Sequence, residues 1–122
     1  MEMGKMTRNI RKIRFFRERI PAFDCIPGCQ DCCGPVTTSS EEMFDLPHVS
    51  DADHEAALAD FSCPHLGDQG CNVYPGRPLI CRLFGTTVRL ACPHGKRPAR
   101  MIDARLERQI QQFFVDTRQV LV

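Results

Sequence analysis

Four of the chain's eight cysteines fall in the nine residues CIPGCQDCC, as Cys25, Cys29, Cys32 and Cys33. This C-x3-C-x2-C-C spacing restricts what the surrounding chain can fold into. Thiols so close in sequence pair as disulfides, react as a redox centre or bind a metal, and each outcome orders the loop without a large apolar core. Pro27 and Gly28 supply the tight backbone needed between the first two thiols. Cys25, Cys29 and Cys32 can then point at one centre. The adjacent Cys32 and Cys33 diverge in extended backbone and stand about 100° apart on a helix, which leaves one of them for a second centre or a supporting position.

The redox compartment bears on the choice. Arg and Lys interrupt every short apolar stretch in the first twenty residues, so a secretory signal is not expected. Nowhere does the chain approach the roughly 18 apolar residues of a membrane span. A cytoplasmic protein without a membrane segment is expected, and in a reducing cytosol dense cysteines bind metal or do chemistry more often than they form disulfides.

One domain is expected over the 122 residues. Hydrophobic content of 43%, nine Pro and no Trp permit only a thin core. Residues 1–21 read as a basic amphipathic helix, with Ile10, Ile13, Phe16 and Ile20 at helical spacing between Arg and Lys, and Pro21 at its end. The basic residues face solvent or an acidic partner. Nucleic acid is not favoured, because the net charge is only +1 and no interleaved aromatic platform is evident.

Residues 25–98 form the cysteine-rich core. Within it TTSSEEMFDL predicts a short helix, with Thr38/Glu41 or Ser39/Glu42 as its capping box. SDADHEAALADF predicts another, with Ser50 as cap and Ala56, Ala57, Leu58 and Phe61 as its apolar positions. From Cys63 to Pro98 five Gly and five Pro leave little room for regular elements. Residues 99–122 predict a long closing helix with a stripe of Ile102, Leu106, Ile110, Phe113 and Phe114. The fold class is small and mainly α, with an irregular metal-stapled centre and little or no β-sheet.

Cys63, Cys71, Cys81 and Cys92 follow at wide intervals. Eight thiols match two four-sulfur sites, or one site with spare thiols, and the spacing leaves the sharing open. His65 and His94 each lie two residues after a cysteine, where ligation is geometrically feasible, although surface and capping roles are commoner; His48 and His54 lie in the helical stretch. Arg77 and Arg82 beside Cys81, and Lys96 and Arg97 after Cys92, are placed to offset thiolate charge and donate to sulfur.

CIPGCQDCC, CPHLGDQGCNVYPGRPLICRLFG and ACPHGKRP together resemble the zinc- or iron-chelating CxxCxxCC family, also called YkgJ-type cysteine-cluster proteins. The resemblance runs from Cys25 to about Pro98, with three residues between the first two cysteines where the family name has two. It implies that Cys25, Cys29, Cys32, Cys33, Cys63, Cys71, Cys81 and Cys92 are the chelating set. It implies no defined reaction.

C-x3-C-x2-C is also the triad of radical S-adenosylmethionine enzymes, but their barrel needs far more chain and a strand–helix alternation missing here. No nucleotide loop or paired carboxylates stand out, so independent catalysis is not expected. Structural zinc favours two paired knuckles, and the second half has none. Three clustered cysteines with a distant fourth, and Cys-Pro at Cys63 and Cys92, are nearer to iron–sulfur usage, including a 4Fe-4S cluster. Electron transfer or redox sensing through such a cluster is the leading expectation. A Zn(2+)-stapled interaction module is the alternative, and either implies a protein partner.

Overall fold

The computed structural model describes residues 2–23, 34–68 and 70–122. Helix α1 spans Glu2–Arg19 and packs on a short helix α3, Leu79–Leu83, inside the cysteine-rich region. The predicted stripe of α1 turns inward: Ile13, Phe16 and Ile20 are buried and Ile10 is half-buried. Helix α4, Ala104–Asp116, supplies the facing Ile110 and Phe113, and the rings of Phe16 and Phe113 meet edge-to-face at 5.7 Å. Asp103 caps α4 by accepting the Leu106 N–H at 3.1 Å.

The core is centred where the breakers predicted only loop. Leu79 and Leu83 are both 0% exposed and join Ile13, Phe16, Ile20, Ile102, Ile110 and Phe113 in one cluster. Two leucines four residues apart share one face of a helix, so a single turn brings both to the core. Sequence reading missed α3 because five residues are too few for a periodic signal.

The end of the chain departs from the predicted helix over 99–122. Helix α4 stops at Asp116, and Gln119–Leu121 form a strand that pairs antiparallel with Thr37–Ser39. We label Thr37–Ser39 β1. The register sets Thr38 opposite Val120, and the Val122 N–H donates to Val36 O at 3.0 Å. A β-branched Val at 120 and 122 suits this pairing better than helix.

The remaining elements are small. Ser39 and Glu42 realise the capping box: the Ser39 N–H donates to Glu42 at 3.1 Å, and Ser39 Oγ lies 3.4 Å from the Glu42 N–H. The turn they open, Glu42–Asp45, is a 3-10 helix. Helix α2 covers Asp51–Ala59, with Ser50 Oγ accepting the Asp53 N–H at 3.1 Å as predicted. Its predicted apolar positions do not reach the core, and none of its residues is buried. Strands β2, Leu66–Gly67, and β3, Gly70–Cys71, form a minimal hairpin. With β4, Gln119–Leu121, the strands make two two-stranded ribbons, so the mainly helical class holds.

Candidate metal centre

The hairpin β2–β3 sets Cys71 opposite Leu66, three residues after Cys63, and leaves the two sulfurs near enough to interact electrostatically. Leu66 pairs with Cys71 and Gly67 with Gly70, while the Asn72 N–H donates to His65 O at 2.9 Å and the Leu66 N–H to Cys63 O at 3.1 Å. The left-handed φ of +104° at Gly70 lets so short a turn close. Both thiols are free and half-buried. Burial pushes the Cys63 thiol up, the backbone N–H of His65 opposes this by donating to the sulfur, and the Cys71 sulfur raises it further. An N–H aimed at sulfur stabilises a thiolate, the form a metal takes.

His65 follows Cys63 by two residues and does not take the surface position commoner for such a histidine. Its side chain is buried, at 5% exposure, and its Nε2 has no hydrogen-bond partner among the described residues. Burial lowers its affinity for a proton and nearby His54 lowers it further. An orphaned buried nitrogen costs about 1–3 kcal/mol unless something meets it. The Cys-Pro-His run was the available signal.

Cys81 lies on α3 between Leu79 and Leu83, whose burial holds this turn in the core. The segment before it is braced by its own side chains. Arg77 stacks on Tyr74, 3.8 Å from ring centroid, and its Nε donates to Tyr74 O at 3.1 Å. Arg82 donates to Arg77 O at 2.9 Å and to Pro75 O at 2.7 Å. These bonds tie carbonyls that a Pro- and Gly-rich loop cannot pair internally. Cys92 follows the 3-10 turn Val88–Leu90 and accepts the Gly95 N–H at its carbonyl, at 3.0 Å; His94 is exposed.

Cys63 and Cys71 are thus brought together. Among the described residues no three His, Cys, Asp or Glu side chains form a metal-holding group. Cys25, Cys29, Cys32 and Cys33 lie outside the described residues. The described residues on either side of that segment each lie against the rest of the chain. A Cβ added at Gly85 would meet the Phe23 ring at 2.2 Å, and one at Gly34 would lie 3.6 Å from Phe61 O. Phe23 therefore packs against the turn that follows α3, and Gly34 lies beside the residues that lead into Cys63.

A donor set of thiols with one imidazole fits a borderline-soft ion such as zinc, or iron. The family comparison agrees. The model of the CxxCxxCC family, described as a "putative zinc- or iron-chelating domain", matches residues 24–113. That is well over half of the chain, and the chain belongs to this family. No curated protein and no solved structure matches it. Among the described residues no helix is long and apolar enough to cross a membrane.

Proposed function

We propose that the chain chelates metal through Cys25, Cys29, Cys32, Cys33, Cys63, Cys71, Cys81 and Cys92. The observation that carries this reading is the Cys63–Cys71 pair, two free half-buried thiols set together by a hairpin too small to be stable alone. Anchoring of Phe23 beside the end of α3 and of Gly34 beside Phe61 supports a centre shared between the clustered and the dispersed cysteines.

An iron–sulfur cluster is the form we favour, on the three-plus-one cysteine spacing and the Cys-Pro pairs at Cys63 and Cys92. Such a cluster supplies one-electron chemistry, and the protein then serves electron transfer or redox sensing for a partner in the cytoplasm. This chain's residues hold the thiolates, donate the His65 N–H to Cys63 and limit water at the half-buried sulfurs. The β2–β3 hairpin also favours a second reading, a zinc staple that orders the loops for an interaction surface.

Metal and sulfide analysis after anaerobic purification decides between them. An iron–sulfur form is brown and bleaches on reduction. Stoichiometric zinc with no iron or sulfide, and failure of reconstitution, overturns the cluster and leaves the zinc staple. Protein that binds neither metal overturns chelation itself.

A further inference from the structure

Charge is segregated along this chain. Seven basic residues and one acid lie between Lys5 and Arg19, whereas residues 41–60 hold seven acids and no Lys or Arg. The ion pairs of α1 among the described residues are Arg17–Asp45 and Arg19–Glu18, so neither runs to α2. Lys5, Arg8, Arg11, Lys12 and Arg14 are exposed on α1, and Asp51, Asp53, Glu55 and Asp60 are exposed along α2.

Each of these charged surfaces carries an unburied apolar feature. Between α1 and α4 runs a groove of about 520 Å3, floored by Phe15, Phe16 and Phe113 and rimmed by Arg11, Lys12 and Asp116. Phe15 is 42% exposed there. At the end of α2 stands Phe61, 82% exposed and with φ of +52°. The Phe61 N–H donates to Leu58 O at 3.1 Å and the Ser62 N–H to Ala57 O at 2.8 Å, the pattern of a helix stop that glycine ordinarily occupies. A bulky residue in the left-handed region is a costly outlier. Among the described residues the strain gains no burial.

We propose that a second copy of this chain covers both surfaces: α2 of one copy lies in the α1–α4 groove of the other, with Phe61 set against the exposed Phe15 above the floor of Phe16 and Phe113. Acids of α2 then face Arg11, Lys12 and their neighbours on α1. The arrangement is reciprocal, so two such contacts close a two-fold dimer. An aromatic anchor in an apolar pocket ringed by complementary charge is the usual form of a strong interface. A nucleic acid fits less well, because Phe15 alone of the three rings is exposed, too little for a stacking platform, and the net charge is only +1. The α1 wall of the groove lies outside the family-matched residues 24–113, and α2 and the Phe113 wall lie within them.

Sedimentation equilibrium of the full metal-loaded chain tests this. Wild-type protein is expected to dimerise with concentration, more weakly as salt rises. Phe61→Gly removes the anchor and relieves the strained φ, so it should weaken association about 30-fold or more while raising the thermal midpoint measured at dilutions where both proteins are monomeric. A merely structural Phe61 would give the opposite change in stability. Arg11→Glu/Lys12→Glu and Glu55→Lys/Asp60→Lys should each be monomeric. Mixed in equal amounts they should associate, since the intact groove of one meets the intact helix of the other and the two reversed surfaces match as well. A wild-type monomer at every concentration in low salt overturns the proposal, whatever peptide or nucleic acid it binds. So does a Phe61→Gly dimer of undiminished affinity, or a mixture of the two charge variants that stays monomeric.

Discussion

Glu42 Oε1 accepts the backbone N–H of Leu79 at 2.7 Å, across 37 residues of chain. Its other oxygen accepts from Ser39 N at 3.1 Å, Ser39 Oγ at 2.7 Å and Thr38 Oγ1. One buried carboxylate thus joins strand β1 to the start of α3, the helix that carries Cys81. Charged acceptors make the stronger hydrogen bonds, and losing this one strands several buried donors together.

Glu42→Ala is therefore expected to cost about 3 kcal/mol in a denaturant titration. Glu42→Gln keeps an acceptor for Leu79 and turns its NH2 toward hydroxyls that can rotate to accept, but it leaves the Ser39 N–H facing a donor; about 2 kcal/mol is expected. If the alanine variant unfolds at the wild-type midpoint, the carboxylate is not the tie between β1 and α3.

Much of this was legible in advance, for reasons that differ by element. The stripe on α1 and that on α4 announced themselves because each spans several turns. Ser50 and the Ser39–Glu42 box were readable because capping needs specific oxygens at fixed offsets. Helix α3 was not, since Leu79 and Leu83 give two apolar points and no period. The strand Gln119–Leu121 was hidden because its partner lies at Thr37–Ser39, and only tertiary pairing decides between strand and frayed helix there. The exposed Leu58 and Phe61 looked like core positions because composition cannot tell which apolar face is covered. For the site, the cysteine count was plain, but the seating of Phe23 against Gly85 had no sequence signal at all.

That contact yields a second expectation. Gly85 has φ of +85° and its missing Cβ would fall 2.2 Å from the Phe23 ring. Gly85→Ala meets both backbone strain and a clash, and should destabilise by about 2–3 kcal/mol. In the double variant with Phe23→Ala the clash disappears and only the strain of about 1 kcal/mol remains, beside the loss of the ring. The cycle should therefore show coupling above 1 kcal/mol. Additive effects would mean that the ring and the glycine do not meet.

Removing metal should act unevenly. The β2–β3 hairpin has two residues per strand and depends on what its thiols hold, whereas Leu79 and Leu83 sit in the apolar core with α1 and α4. Amide exchange with and without chelator is expected to show protection lost around residues 63–72 and retained in α1, α3 and α4. Uniform loss across α4 would make the metal the support of the whole fold. Unchanged protection in verified metal-free protein would remove the staple role altogether.

His65 supplies the last expectation, because its Nε2 is buried and has no hydrogen-bond partner among the described residues. Its backbone N–H already serves Cys63 and is untouched by changing the side chain. If the ring supports the chelating site, His65→Ala should lower metal affinity about 10- to 100-fold while leaving the metal-to-protein ratio at saturation unchanged. His48→Ala, at an exposed position, is the control and should bind as wild type. Competition against a chelator of known strength measures both. Loss of stability in His65→Ala at undiminished affinity would assign the ring to packing alone, and a lower metal ratio at saturation would make it a ligand in its own right.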